Sequence, residues 1–360
     1  MVAALASVLL LGVLILVHEL GHFVVARWCG VRIVRFSIGF GRKIVGWTRG
    51  GTEYWLSWIP LGGYVKMAGE QHGERTQAPD EYLSKSIGAR AVIVAAGPFV
   101  NYLVALVSLW TVFVVGYPEL LPEVGRVLED MPASAAGLQE GDRILAVDGT
   151  SVPTWEAMTE FIHASAGTPM RLRVARADAE VDVTLTPTRK DITDPFGRPK
   201  SVGLIGIGPS GAFETFRVGP IEAIGRTVHQ HNEWVGQTLL ALWSMATGRI
   251  SVRESVTGPI GLLVLTSEAA SMGIGPLLYL IALFSLSLAI FNVFPIPILD
   301  GGHLFFLLLE KLRGSPVSLN IQERAAQVSF VLLMTMVLFV CVNDVSRFGI
   351  VDRVMEWMGR

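Results

Sequence analysis

Val8-Leu-Leu-Leu-Gly-Val-Leu-Ile-Leu-Val-His18-Glu-Leu-Gly-His22-Phe-Val-Val-Ala-Arg27 places three ionisable side chains inside an apolar run. Residues 1–17 carry no charged side chain, and apolar character resumes over 23–26 before Arg27. At ~1.5 Å per residue, a helix over this run crosses a hydrocarbon core of roughly 30 Å. A secretory signal is the competing interpretation, but there is no basic region ahead of the apolar stretch and no convincing A-x-A-like cleavage site. The run is therefore expected to be a retained membrane span. His18 and His22, at i and i+4, share one helix face. Both imidazoles can then bind one Zn²⁺ while Glu19 reaches a water on the metal. Ionisable groups inside lipid are costly and usually functional, which sets this pentapeptide apart from chance matches in soluble chains.

The rest of the chain agrees with a membrane setting. Of 360 residues, 51% are hydrophobic and only 17% charged, with a mean hydropathy of +0.51. A soluble globular chain carries about 25% charged residues. The net charge of −2 gives no basic field of the kind nucleic acid requires, so nucleic acid is not an expected partner. Cys29 and Cys341 are the only cysteines and cannot form a disulfide framework.

Three further apolar runs read as spans: 91–115, 276–309, in which Pro295 and Pro297 break the helix, and 325–342. The loop over 27–90 holds ten Lys/Arg against five Asp/Glu, and Lys311, Arg313 and Arg324 lie between the third and fourth spans. Excess basic charge marks the cytoplasmic side. The segment 116–275 then lies outside, and both termini share one side.

Within that outer segment, strand-like runs at 124–128, 143–147, 170–175 and 180–186 alternate with one helical stretch, 155–164. The stretch Met131-Pro-Ala-Ser-Ala-Ala-Gly137-Leu-Gln-Glu-Gly141-Asp142-Arg-Ile-Leu-Ala-Val-Asp148-Gly149 resembles the core of a PDZ domain, which accepts an extended peptide along a strand edge. There is room for one such domain. Residues 220–247 read as an amphipathic helix with Trp234 and Trp243, either lying along the membrane surface or serving as a connector. Gly206-Ile-Gly208-Pro-Ser-Gly211 matches the letters of a dinucleotide fingerprint, but no βαβ unit surrounds it, so it is expected to be a turn.

On the cytoplasmic side, 32–67 is rich in β-formers and glycine. Residues 52–59 read as a strand, and Gly50-Gly51 and Gly62-Gly63 as hairpin turns. Its edge could hold a substrate strand, or the sheet could simply cap the helices. The expected fold is a multi-pass α-helical membrane protein with four transmembrane helices, a membrane-associated β-loop and an inserted α+β PDZ-like domain. Its expected parts are span 1–28 with the HExxH motif, β-rich loop 29–89, span 90–116, PDZ-like domain 117–215, amphipathic connector 216–275, span 276–309 and span 325–343.

A catalytic zinc takes three protein ligands and keeps one position open. Asp300 is the acidic candidate for the third ligand, since no other acidic residue lies inside the third span. His18 lies nine residues before Arg27 and Asp300 eleven before Lys311, roughly 14 and 17 Å if helical, so the two sit at similar depth. His303 is a rival, ranked instead as a hydrogen-bonding neighbour. His72, His163, His229 and His231 have no companion at metal spacing and read as solvated or structural.

These features together resemble the site-2 protease family of intramembrane zinc metalloproteases, most closely its bacterial RseP-type members. The residues carrying the resemblance are His18-Glu-Leu-Gly-His22, Phe36-Ser-Ile-Gly-Phe40-Gly41, Pro60-Leu-Gly-Gly-Tyr-Val-Lys-Met67, Gly97-Pro-Phe-Val-Asn101 and Asn292-Val-Phe-Pro-Ile-Pro-Ile-Leu-Asp-Gly-Gly-His303. The resemblance covers nearly the whole chain. It implies zinc held by His18, His22 and Asp300, Glu19 as the base that takes a proton from the metal-activated water, and Asn292 and Asn101 near the bound peptide. It further implies single-span membrane protein substrates of the anti-sigma factor or remnant signal peptide type, and a bacterial inner membrane location with the PDZ-like domain on the outer side. Many RseP-type members carry two PDZ domains, and this chain departs from them there. The rival readings are an ion or metal transporter, for which no internal repeat is found, and a non-catalytic PDZ scaffold.

Overall fold

The computed structural model describes residues 2–70, 76–177 and 179–347. Two compact units divide the chain: residues 1–112, 224–235 and 255–360 form the first, and 113–223 with 236–254 the second.

The first unit begins with α1 (Val2–Trp28), followed by a long antiparallel hairpin of β1 (Ile33–Arg49) and β2 (Thr52–Met67). The hairpin turns at Gly50-Gly51, as expected. Gly62-Gly63 is not a turn, because β2 runs through it to Met67. Gly62 takes φ +108, which shifts the register as a bulge does, and a side chain there would strike Ile15 of α1. The bulge thus lets β2 lie directly against α1. The inner end of the hairpin joins Ile33 and Met67 to Ala26, Val31 and Ile93 in one buried cluster. The outer end stays apolar and uncovered, with Trp47 and Trp58 exposed.

Helix α2 (Ile87–Val115) follows. Its Pro98 lies within the helix, next to Gly97. Later come α7 (Pro259–Met272), α8 (Ile274–Val293), α9 (Asp300–Arg313) and α10 (Leu319–Arg347). The third apolar run is two helices, α8 and α9, broken at the prolines as expected. Pro295 and Pro297 cannot continue a helical hydrogen-bond ladder, and Phe294 adopts the extended backbone (φ −63, ψ 143) favoured before proline. Helix α7 occupies a stretch expected to be a connector. It is capped by the buried Asp344 of α10, whose carboxylate accepts from the amides of Gly258, Ile260 and Gly261. Helices α1, α2, α8 and α10 are each long and apolar enough to cross a bilayer. Along α10, Phe330, Val331, Leu332, Leu338 and Val342 are all exposed, a continuous apolar surface that water does not tolerate.

The second unit holds β3 (Tyr117–Leu120), β4 (Val124–Val127), α3 (Pro132–Ala135), β5 (Arg143–Val147), β6 (Thr150–Ser151), α4 (Trp155–Ala164), β7 (Met170–Arg176) and β8 (Ala179–Leu185). Next come β9 (Thr188–Thr193), β10 (Pro199–Leu204), β11 (Ile207–Pro209) and β12 (Phe213–Phe216). The strands form a β6-β5-β7-β8 sheet and three two-stranded ribbons: β9 with β10, β11 with β4, and β12 with β3. Residues 206–211, expected to be a turn, contain β11, which pairs with β4. The core is Ile144, Met158, Met170, Leu172 and Val174 with their neighbours. Helix α5 (Pro220–Ala246) is divided between the two units, and α6 (Val252–Ser255) follows it.

The PDZ-like motif has a physical basis in Asp142 and Asp148. Asp148 (φ +47) and Gly149 (φ +81) make the two-residue turn between β5 and β6. Burial alone would raise the Asp142 carboxyl. Two bonds of 2.7 Å from Arg176 and one of 2.8 Å from the Gln139 amide instead hold it below the usual carboxylate value. A carboxylate depressed in the folded state contributes stability above its unfolded pKa and loses it as pH falls toward the folded value. This domain should weaken from about pH 4 downward, read as faster hydrogen exchange at β5 and β7. Asp142→Asn should blunt that acid response and cost roughly 1–3 kcal/mol at pH 7. An unaltered acid response in the variant would contradict the assignment.

Candidate metal centre

Helix periodicity puts His18 and His22 on one face of α1. Gly97 and Asn101, likewise four apart, lie on one face of α2. The faces meet at Gly97, where a Cβ would stand 2.3 Å from His22 Nε2 and 2.7 Å from His18 Cε1. Only a residue without a side chain leaves room for the imidazoles. Asp300 arrives from the start of α9, directly after the proline break. Gly301 lets that turn close, since a Cβ there would lie 2.2 Å from the carbonyl oxygens of Val293 and Phe294.

Three ligand atoms converge. His18 Nε2 lies 2.9 Å and His22 Nε2 3.4 Å from Asp300 Oδ2, and the two Nε2 atoms are 3.1 Å apart. A tetrahedral zinc with bonds of about 2.0–2.1 Å sets its ligand atoms roughly 3.3 Å apart, so this triangle matches one face of such a site. The protonation pattern points the same way. His22 Nδ1 lies 2.9 Å from the Ile93 carbonyl oxygen, which can only accept, so Nδ1 carries a proton and Nε2 is the nitrogen left to face a metal. Asp300 Oδ2 is buried, and the two imidazole Nε2 atoms are the partners it faces. Two imidazole nitrogens and a carboxylate oxygen facing one point are a donor set suited to a divalent cation. The residues fit a zinc ion. Among the described residues, this trio is the only group of three or more His, Cys, Asp or Glu side chains that converges in this way.

The other expected site residues are distributed around this point. Glu19 accepts from the Val65 amide of β2 at 3.2 Å and lines a cavity of about 860 Å³ together with His22, Asp300, His303, Glu70 and Arg90. His303 faces that cavity and stands outside the converging trio. Asn101, expected near a bound peptide, is fully buried behind His18, with its amide 3.4 Å from His18 Nδ1. Its Oδ1 has no partner. Turning the amide over would put that oxygen on a protonated Nδ1 and leave His18 Nε2 free for metal. Asn292 is half-buried in the last turn of α8 and does not line the cavity. His231, expected to be solvated or structural, is buried edge-on against Tyr102 with ring centroids 4.5 Å apart, and His72 lies outside the described residues. The roles of Gly97 and Arg90 were not legible in the sequence. The signal for Gly97 was its spacing of four from Asn101, which copies that of the histidines.

A family model described as peptidase family M50 matches residues 6–336. The chain belongs to peptidase family M50. A protein of Rhizobium meliloti (strain 1021), provisionally named a zinc metalloprotease, is 36% identical over 94% of each chain. The regulator of sigma-E protease RseP of Escherichia coli (strain K12) is 32% identical over 94% of this chain and 97% of its own. Among solved structures, the PDZ domain of an SdrC-like protein from Listeria monocytogenes matches 26% of this chain and 88% of its own at 24% identity, with a TM-score of 0.20 that carries no weight for the fold. As an M50 peptidase the chain is an intramembrane zinc metalloprotease, and neither the transporter nor the scaffold reading is favoured.

Proposed function

We propose that His18, His22 and Asp300 hold the catalytic zinc of this M50 peptidase within the bilayer, that Glu19 is its general base, and that the substrates are single-span membrane proteins. The observation carrying this reading is the convergence of His18 Nε2, His22 Nε2 and Asp300 Oδ2 within 2.9–3.4 Å of one another. Zinc bound there supplies Lewis-acid activation of water and of the scissile carbonyl. Glu19, its carboxylate oriented by the Val65 amide, accepts the proton of the attacking water and returns it to the leaving amine. The His22 bond to the Ile93 carbonyl and the Asn101 amide behind His18 fix the two imidazoles. Asn101 is thus a positioning residue rather than a substrate contact. Asn292, near the proline break, remains the candidate for holding an unwound peptide.

A substrate helix must open before cleavage, because its carbonyls are otherwise committed to its own hydrogen-bond ladder. The loop between α8 and α9 and the edge of β2 beside Glu19 are the surfaces that could receive the opened strand. Helices α1, α2, α8 and α10 are assigned as four spans of the bacterial inner membrane. The basic excess over 27–90 supports a cytoplasmic hairpin and an outer PDZ-like domain. Anti-sigma factors and remnant signal peptides are the substrate types in view.

Chelation tests the reading. Purified chain given a detergent-solubilised single-span substrate should lose cleavage on treatment with a zinc chelator and regain it with added Zn²⁺ but not Ca²⁺. Undiminished cleavage in the metal-stripped protein would overturn the proposal.

A further inference from the structure

The cavity face of α9 carries Asp300, His303, Leu307 and Glu310, an i, i+3, i+7, i+10 stripe with the metal-facing carboxylate at one end and Glu310 at the other. On α2, Arg90, Gly97 and Asn101 are likewise in line, at i, i+7 and i+11. Arg90 meets Glu310 across 220 residues of sequence through two bonds, Nη2 to Oε1 at 2.5 Å and Nη1 to Oε2 at 3.2 Å. The side chains are only 10% and 17% exposed.

The lengths along the two helices agree. Asp300 to Glu310 is ten residues, about 15 Å of α9, and Arg90 to Gly97 and Asn101 spans about 10–17 Å of α2. A contact between Arg90 and Glu310 therefore leaves Asp300 level with the histidines packed on Gly97. At its start α9 is held by Gly301 and Gly302 packed on the backbone of residues 293–297, but beyond that turn it buries only Leu307 and leaves Phe305, Leu308 and Leu312 uncovered, so little besides the ion pair fixes its far end. A slip of one turn, about 5.4 Å, would carry Asp300 out of reach of both imidazoles.

We infer that the Arg90–Glu310 ion pair is a register pin that sets the depth of Asp300 against His18 and His22, which makes both members positioning residues for the metal centre. The inference rests on the reading of that trio as the zinc ligands. A pin acts through geometry, so either sign arrangement of the pair should serve, whereas a single loss should not. Arg supplies a planar two-pronged donor that matches a carboxylate, and Lys does not.

The test uses the full chain in detergent and reads zinc affinity by chelator competition, with unfolding of the zinc-free protein followed in parallel. Glu310→Gln and Arg90→Gln should each weaken zinc binding by about 10–100-fold, the scale seen when an outer partner of a ligand is lost. Arg90→Lys should fall between parent and Arg90→Gln. The reversed pair, Arg90→Glu with Glu310→Arg, should regain most of the loss. Parental zinc affinity in the single variants, even with lowered unfolding temperature, would overturn the pin and leave the pair merely structural. Should a single variant not fold, the reversed pair decides: recovered folding with tight zinc supports the pin, and recovered folding with weak zinc overturns it. Asp300→Ala separates the two levels. If it keeps zinc, the ligand reading itself falls; if it loses zinc while Glu310→Gln binds like the parent, only the pin falls.

Discussion

Glu19→Gln is expected to leave zinc content unchanged and to lower kcat for a single-span substrate by two to four orders of magnitude, the range a positioned general base contributes. The amide side chain keeps the size of the carboxylate and can still accept from the Val65 amide at the position where Glu19 does so at 3.2 Å. What it loses is the ability to take a proton. The loss should therefore fall on kcat, with KM little altered, because the β2 edge and the cavity wall are untouched. Retained turnover would remove Glu19 from the chemistry. Loss of zinc together with turnover would show instead that Glu19 supports the metal.

Gly97→Ala is expected to be as damaging through sterics alone. The added methyl would sit 2.3 Å from His22 Nε2 and 2.7 Å from His18 Cε1, distances at which something must move. Both neighbours are imidazoles held at one point, His22 by the Ile93 carbonyl and His18 beside Asn101, so neither can yield without leaving the metal position. Zinc affinity should fall by more than the roughly 10–100-fold that losing an outer partner costs. Gly88→Ala on the same helix, where a Cβ meets nothing within 4 Å, should bind zinc like the parent. Normal zinc binding by Gly97→Ala would mean that the imidazoles do not pack against α2 as described.

How much of this was legible in the sequence follows from the range of each interaction. The spacing of His18 and His22 is a property of one helix and needs no tertiary knowledge. Asp300 stood out as the acidic residue inside the third span, and the depth comparison that supported it needed only counting from basic residues at the span ends. The prolines at 295 and 297 announced a broken helix. Hydropathy carries no direction, however, so the course that α9 takes after the break was not legible. Gly62-Gly63 read as a turn because paired glycines usually mark one, whereas here positive φ at Gly62 serves a bulge against Ile15. The resemblance pointed to Asn101, but its contact, like that of Arg90, was hidden for another reason. Their partners, His18 and Glu310, are 83 and 220 residues distant, and nothing local to either marks the contact.

The most direct measurement is anomalous scattering at the zinc edge from crystals of the Glu19→Gln chain, which should be inert and still metal-bound. One peak per chain, within about 2.0–2.2 Å of His18 Nε2, His22 Nε2 and an Asp300 oxygen, is the expected result. A zinc peak elsewhere, or one bound by the histidines with Asp300 out of coordinating distance, would contradict the account.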